Sequence, residues 1–200
     1  CGDFFMNIAF IIGNGVSRQG VPLNDLKQHG KIYGCNAIYR DFIPDVLVAT
    51  DRPIATRIQD EGYALKNQFY TRRPVEGSGA RRLPQEYFGY SSGPNALGLA
   101  CINGARRIYL IGFDMGPGTH KGFNNVYADT EFYKTATAPP TFTGNWIKQI
   151  SKIITDYPDN IYTRVCGTTT KRIQELDALD RLRHEDLSVF LNRINNTKDF

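Results

Sequence analysis

The sequence predicts an α/β protein in which a mostly parallel sheet is flanked by helices and followed by a C-terminal helical extension. Residues 8–12 are an unbroken apolar run rich in branched side chains, the pattern of a strand buried on both faces of a parallel sheet. Strand and helix patterns then alternate along the chain, which indicates βαβ units. Beyond Thr170, leucine and isoleucine recur at helical spacing.

Further strands are predicted where short apolar runs interrupt the polar sequence. They cover residues 31–35, 46–50, 68–71, 107–112 and 161–165. Helices are predicted over residues 22–28, 53–61, 91–103 and 146–157. Their bounds follow start and stop signals, such as Pro22 and Pro53 at helix starts and Gly104 after a helix end.

Two long polar segments, residues 72–90 and 115–145, carry glycine and proline without periodicity and are predicted to be loops. The first segment contains two arginine pairs, 72–73 and 81–82. These arginines are either phosphate ligands or, as the more common case, solvated surface charges.

The C-terminal apolar residues predict two amphipathic helices, near residues 173–182 and 187–194, that dock on the core or on another subunit. We therefore expect one domain over residues 6–170 and a helical tail over residues 171–200, with the tail as a contact for a homo-oligomer. Met6 leads directly into the first strand, so we expect it to be the natural start, with residues 1–5 outside the natural protein.

The composition is that of a globular protein, with 41% apolar and 12% aromatic residues. No apolar run approaches the roughly 20 residues of a membrane span, and no signal peptide is recognisable. A net charge of +4 suits an anionic ligand but is too small to indicate a nucleic-acid partner. The 4 cysteines are scattered, which favours a reduced, cytoplasmic protein without structural zinc.

Polar residues follow the predicted strands at the points where those strands end. Asn14, Asn36, Asp51 and Asp114 stand after the first, second, third and fifth strands. The carboxyl ends of parallel strands share one edge of a sheet, where ligands of α/β proteins bind. Taken one by one, these residues are better explained as turn formers or caps. Their coincidence on one edge favours a ligand site.

Two backbone features are predicted at the same edge. The turn Gly13-Asn14-Gly15 lets the chain bend sharply and approach a ligand, although it can also be a simple tight turn. It is not a dinucleotide fingerprint, because Arg18 stands where the third glycine is required. The helix start Ser91-Ser92-Gly93 offers backbone N–H groups and the positive end of a helix dipole to a phosphate.

These segments, in order and spacing, resemble the bacterial sialyltransferases that use a CMP-sugar donor, and the related 6-hydroxymethylpterin diphosphokinase-like proteins. The matching residues are 11–17, 34–39, 91–93 and 108–114, a minor part of the chain. The resemblance implies a Rossmann-like fold with a nucleotide or nucleotide sugar, guessed as CMP-type, bound at this edge. Short proteins of this kind also resemble phage-encoded accessory proteins, which would place the chain in a host cytoplasm.

The resemblance also implies residue roles. Asn14 and Asn36 would contact the nucleotide, Ser92 and Gly93 would lie against the phosphate or sugar, and Asp114 would border the pocket. The full set expected to bind the nucleotide is Gly13, Asn14, Gly15, Asn36, Asp51, Ser91, Ser92, Gly93 and Asp114. Tyr127 and Tyr133 fall near the family's tyrosines that steady the departing phosphate, and are expected to be catalytic.

The general base is where the sequence departs from the sialyltransferases. They place a histidine after these tyrosines, and residues 135–146 contain none. His120, in the glycine-bearing loop before them, is the candidate base, with Asp129 and Glu131 as alternatives. His29 and His184 are expected at the surface, so the assignment stays open.

Three functions remain in competition. The first is a glycosyltransferase-like transferase with a nucleotide-activated sugar donor. The second is a non-catalytic module that binds a nucleotide or a partner, as the missing histidine suggests. The third is pyrophosphoryl transfer, which needs magnesium held by Asp51 or Asp114. Apart from that magnesium, no metal is expected.

Overall fold

The computed structural model describes residues 7–117, 122–139, 143–196 and 200. Within these residues a single sheet contains eight parallel strands. They are β1 Ile8–Ile12, β2 Lys31–Cys35, β3 Val46–Val48, β4 Gln68–Thr71, β5 Arg81–Arg82, β6 Arg107–Ile111, β7 Ile161–Cys166 and β8 Leu182–Asp186. Their order across the sheet is β5-β4-β3-β2-β1-β6-β7-β8.

Helices cover both faces of the sheet. They are α1 Leu23–Leu26, α2 Arg52–Asp60, α3 Ser92–Ile102, α4 Gly144–Asp156, α5 Gln174–Asp177 and α6 Leu187–Asn195. Short 3-10 helices follow β1 and β2, at Val16–Gly20 and Asn36–Arg40. None of the helices in the described part of the chain is long and apolar enough to cross a membrane.

Strand β1 lies in the middle of the sheet because all of its side chains are apolar and can be buried on both faces. Each of its residues is at most 3% exposed. The chain moves from β1 outward to β5 on one side, and α3 then carries it back to β6 on the other side of β1. The order therefore reverses between β1 and β6, which is the position where α/β sheets of this kind open a crevice.

The two faces of the sheet form two apolar clusters. Helices α3 and α4 cover one face, and α3 is buried along most of its length because it lies between the sheet and α4. Helices α2 and α6 cover the other face. There Phe190 of α6 packs against Tyr109 of β6 and Phe10 of β1, with ring centroids 5.5 Å and 6.3 Å apart.

The predicted fold class is confirmed, with two local differences. The segment predicted as the loop 72–90 contains β5, which pairs with β4. The first helix of the predicted tail is a single turn, α5, followed by strand β8. Leu176 and Leu182 fill the same apolar cluster from a turn and a strand, so helical spacing arises here without a continuous helix. The division into a domain and a tail stays a prediction.

One of the two histidines expected at the surface is buried. The His184 side chain in β8 is 6% exposed, and its Nε2 lies 3.4 Å from Asp177 Oδ1. Burial lowers its pKa, and the positive charges of Arg172 and Arg164 lower the pKa further. His184 therefore belongs to the packed edge of the sheet.

Candidate functional site

A cavity of about 340 Å³ opens at the carboxyl ends of the central strands, where the strand order reverses. We call it the switch-point cavity. The residues predicted for the nucleotide site line it without exception: Gly13, Asn14, Gly15, Asn36, Asp51, Ser91, Ser92, Gly93 and Asp114. The other lining residues are Cys35, Thr50, Pro94, Gly112, Phe113, Met115, Gly116, Phe123, Asn124, Asn125, Thr143 and Trp146.

The glycine turn is required by the close approach of the loops after β1 and β6. Gly13 N donates to Ile111 O at 2.7 Å, and Gly15 N donates to Gly112 O at 2.9 Å. A Cβ atom on Gly15 would lie 2.6 Å from Gly112 O and 2.7 Å from the Asp114 carboxylate. Glycine at this position is therefore explained by contact between two backbones, whether or not a ligand is bound.

Asn14 holds the first two strands and a distant loop together. Its Nδ2 donates to Cys35 O at 2.9 Å, and its carbonyl accepts from Val126 N at 2.8 Å. Its Oδ1 accepts a long hydrogen bond from Arg18 Nε at 3.4 Å. With 8% exposure, Asn14 contributes mainly to the floor of the cavity.

Asn36 and Ser92 connect the ends of β2 and β3 to the start of α3. Asn36 has a left-handed backbone, φ 55°, which asparagine tolerates better than most residues. Its Oδ1 accepts from Ser92 Oγ at 3.0 Å, and Ser92 Oγ accepts from Thr50 N at 3.0 Å. Nδ2 of Asn36 has no hydrogen-bond partner among the described residues, so it can donate to a ligand.

The start of α3 faces the cavity with free donors. Ser91 precedes the helix but makes no side-chain cap, and Pro94 has no N–H group. The first N–H groups of a helix have no acceptor within it. Those of Ser92 and Gly93 have no hydrogen-bond partner in the described part of the chain. They lie at the positive end of an 11-residue buried helix, an arrangement that suits an anion.

The two carboxylates at this edge of the sheet, Asp114 and Asp51, differ in exposure and in hydrogen bonding. Asp114 is 3% exposed and accepts from five donors. Ser17 contributes its N at 3.1 Å and its hydroxyl, Asn124 its Nδ2 at 3.1 Å, Thr169 its hydroxyl at 2.8 Å and Thr170 its hydroxyl at 3.0 Å. A carboxylate offers about four lone-pair directions, so Asp114 has no acceptor capacity left for a ligand or a metal ion.

Asp51 is exposed and begins α2 without capping it through its side chain. Its carboxylate makes no hydrogen bond to another described residue. Among the described residues that line the cavity, it is thus the carboxylate with oxygens available to a ligand. No group of three or more His, Cys, Asp or Glu residues in the described ranges is placed to hold a metal ion.

The tyrosines expected to be catalytic are not among the described residues that line the cavity. Tyr127 donates its hydroxyl to Asp41 Oδ2 at 2.7 Å and accepts from Arg18 Nη2 at 2.9 Å. The hydroxyl of Tyr133 accepts from Ala37 N at 3.3 Å. Burial raises the pKa of both phenols. Both tyrosines thus hold the 36–41 turn through hydrogen bonds to Asp41 and Ala37. Their catalytic role stays a prediction.

The structure describes two of the three candidate general bases. His120 lies outside the described residues. Asp129 Oδ1 accepts from Ala136 N at 3.0 Å, and Glu131 pairs with Arg57 at 2.7 Å on the surface. Neither acid lines the cavity. Cys35 does line it, and burial raises the pKa of its thiol to about 12, which favours the protonated thiol at neutral pH.

The arginines of the 72–90 segment hold that segment in place. Arg72 donates to Phe88 O at 2.9 Å and to Tyr90 O at 2.6 Å. The guanidinium of Arg82 lies 4.5 Å from the ring centroid of Phe88. These arginines are not among the described lining residues of the cavity.

Sequence reasoning missed the apolar wall and part of the polar wall of the cavity. Phe113, Met115, Phe123 and Trp146 form the apolar side, and Asn124 contributes an amide. Trp146 is the chain's single tryptophan and stands near the start of α4, which is a usable signal for a ligand-facing aromatic residue. Asn124 carried no such signal, because its neighbours come from distant parts of the sequence.

Comparison with known proteins gives one structural likeness. No protein-family model matches the chain, and no curated protein matches it. Among solved structures, the chain is similar to the monofunctional α-2,3-sialyltransferase Cst-I from Campylobacter jejuni, with a TM-score of 0.55 and 12% sequence identity. The match covers 96% of this chain and 95% of that one. At this identity the likeness shows a shared Rossmann-like fold.

Proposed function

We propose that this chain is a nucleotide-binding transferase that accepts a nucleotide-activated sugar of the CMP type in the switch-point cavity. The observation that carries the proposal is the convergence on that cavity of donors and one carboxylate that have no hydrogen-bond partner among the described residues. Asn36 Nδ2, the first N–H groups of α3 and Asp51 come from three separate segments. The fold shared with a sialyltransferase adds support at the level of the fold alone.

Each part of the cavity matches a part of such a ligand. The N–H groups of Ser92 and Gly93 would hold the phosphate, because they are unpaired donors at a helix start. Asn36 would donate to the base or ribose, and Asp51 would accept from hydroxyls. Trp146 provides an apolar surface for a ring, and about 340 Å³ is within the range of small-ligand sites.

The transfer breaks the bond between the donor sugar's anomeric carbon and the phosphate oxygen, and forms a bond from that carbon to an acceptor hydroxyl oxygen. The phosphate leaves with the bonding pair, and its new charge is stabilised by the start of α3. The acceptor's proton passes to a base. In the described lining, Asp51 is the group with free oxygens for this role, and His120 is the candidate outside it.

A non-catalytic nucleotide-binding protein is the second candidate function. Two observations favour it: Asp114 is saturated by internal donors, and both Tyr127 and Tyr133 use their hydroxyls to support the 36–41 turn. Neither observation weakens the binding proposal, so binding and turnover need separate measurements.

The binding test is a thermal-shift panel of CMP, CDP, CTP, a CMP-sugar and other nucleotides, with and without magnesium. A ligand at about 100 times its dissociation constant should stabilise the protein by about 2.7 kcal/mol. We expect cytidine nucleotides to stabilise it without magnesium. Stabilisation only by triphosphates with magnesium would favour pyrophosphoryl transfer instead, and no shift with any nucleotide would refute the proposal.

Two variants locate the binding. Asn36→Gly removes the amide but keeps the left-handed backbone that this position needs. It should abolish the ligand-induced shift, whereas Asn192→Ala, exposed on α6, should leave it unchanged. Turnover of the CMP-sugar, measured as release of CMP, would then separate the transferase from the non-catalytic protein.

A further inference from the structure

A second cavity of about 270 Å³ lies away from the switch-point cavity, between strands β6 to β8 and helix α6. We call it the arginine cavity. Its lining residues are Arg107, Ile108, Tyr109, Ile161, Thr163, Arg183, His184, Glu185 and Arg193. It begins at the first residues of β6 and β7, whereas the switch-point cavity lies beyond the last residues of β6. Along β6 the two linings are three residues apart, from Tyr109 to Gly112, which is roughly 10 Å at about 3.3 Å per residue.

The strand register creates this second site. Tyr109 of β6, Thr163 of β7 and Arg183 of β8 form one row across three neighbouring strands. Helix α6 covers Tyr109 through Phe190 but leaves Thr163 half-buried and Arg183 exposed. The row is therefore apolar and packed at one end, and polar and open at the other.

The cavity contains an unbalanced positive charge, with three arginines against one glutamate in its lining. Arg193 pairs with Glu185, and Arg107 Nη2 donates to the Tyr109 hydroxyl at 3.2 Å. The guanidinium of Arg183 forms no ion pair or hydrogen bond with another described residue. A free guanidinium beside a polar recess is suited to bind an anion.

The Tyr109 hydroxyl in this cavity accepts hydrogen bonds but donates none to a described residue. Arg107 Nη2 and Arg193 Nη1 both donate to its oxygen, at 3.2 Å and 3.0 Å. The hydroxyl oxygen is an acceptor in both of these hydrogen bonds, and none of the described residues accepts its own proton. Tyr109 is 3% exposed, and a buried donor without an acceptor is costly.

Glu185, in contrast, has a carboxylate oxygen that lacks a donor. Its Oε1 pairs with Arg193 Nη2, while its Oε2 is buried without a hydrogen-bond partner in the described part of the chain. The same guanidinium therefore touches both Tyr109 and Glu185. Among the described residues, a donor without an acceptor and an acceptor without a donor therefore lie at the two ends of the Arg193 guanidinium.

From this arrangement we infer that the arginine cavity is a second ligand site, and that it binds a small hydroxylated anion of the sugar phosphate or sugar acid class. The anionic group accepts from Arg183 and from the Tyr109 hydroxyl. A neighbouring hydroxyl of the ligand donates to Glu185 Oε2. At about 270 Å³ the cavity lies just below the usual range of about 300–1,000 Å³ for small-ligand sites, which favours a ligand no larger than one monosaccharide unit.

The test is isothermal titration of the full chain with glucose 6-phosphate, glucuronate, inorganic phosphate and glucose. These probes separate the anion from the hydroxyls, because the last two each carry only one of the features. We expect glucose 6-phosphate or glucuronate to bind at least about tenfold more tightly than either of them, with binding that weakens as salt is added. The tighter of the two identifies the anion as phosphate or carboxylate.

Arg183→Gln should weaken this binding at least about tenfold, since the lost partner is a charged one. Arg181→Gln is the matched control, because Arg181 is also exposed and precedes the same strand but does not line the cavity. Asn36→Gly should leave the binding intact, which separates this site from the nucleotide proposal. The inference is wrong if no hydroxylated anion binds, if glucose or phosphate binds as tightly, or if Arg183→Gln and the wild type bind equally.

Discussion

At the scale of single residues, two aspartates at the same edge of the sheet have different chemical environments. Asp114 is buried and receives hydrogen bonds from the 3-10 helix after β1, from Asn124 and from the 169–170 turn. Asp51 is exposed and has no such partners among the described residues. Asp114 is therefore expected to hold the site together, and Asp51 to meet the ligand.

Replacing each aspartate by asparagine tests this difference. Asp114→Asn puts an NH₂ group among hydroxyl and amide donors, and hydrogen bonds to a charged group are worth about 1.5–3 kcal/mol each. We expect its free energy of unfolding to fall by about 3 kcal/mol, as measured by urea denaturation. Asp51→Asn should change it by less than about 0.5 kcal/mol. Equal effects of the two changes would contradict the assignment.

At the scale of elements, the loops after β1 and β6 meet backbone to backbone. Gly13 and Gly15 follow β1, and Gly112 follows β6 with a φ of 78° that favours glycine. Hydrogen bonds join the two loops directly, without intervening side chains. This junction forms the floor of the switch-point cavity and fixes the spacing of its walls.

Adding one methyl group at the junction should destabilise the protein. The Cβ of Gly15→Ala would lie within 2.7 Å of backbone and carboxylate atoms that cannot move freely. We expect a loss of about 1–3 kcal/mol in unfolding free energy, the usual cost of overpacking. Gly20→Ala is the control, because a Cβ there meets nothing within 4 Å. Thermal unfolding of both variants should show a clear drop in Tm for the first alone.

At the scale of the whole molecule, the C-terminal segment is part of the sheet and of the core. Strand β8 pairs with β7 through residues 182–186, and Phe190 of α6 is fully buried against Phe10 and Tyr109. Phe190 therefore packs the C-terminal segment against the central strands of the sheet. We therefore expect the chain to unfold as one cooperative unit.

Two neighbouring residues of α6 test this cooperativity. Phe190→Ala should reduce the unfolding free energy by about 3–5 kcal/mol, the typical cost of removing a buried phenylalanine. Val189→Ala should have little effect, because Val189 is 50% exposed. Far-UV circular dichroism and the fluorescence of Trp146, which lies in the distant cavity, should report the same shifted midpoint. An unshifted Trp146 transition would mean that the C-terminal segment unfolds separately.

The sequence by itself determined the elements that depend on local pattern. The buried run of β1, the polar residues after the strands and the start of α3 could all be predicted, because periodicity and helix signals act over a few residues. The coincidence of Asn14, Asn36 and Asp51 at one edge was also predictable. It follows from parallel strands, whose carboxyl ends lie on the same side.

Only the tertiary structure decided which of these groups have hydrogen-bonding capacity left for a ligand. Asp114 and Asp51 look alike in the sequence, and the donors that saturate Asp114 come from residues 17, 124, 169 and 170. Likewise, Tyr109, Glu185 and Arg193 meet because β6, β8 and α6 are brought together by the sheet order. Hydrogen-bond partners are set by register and crossover, which no short stretch of sequence encodes.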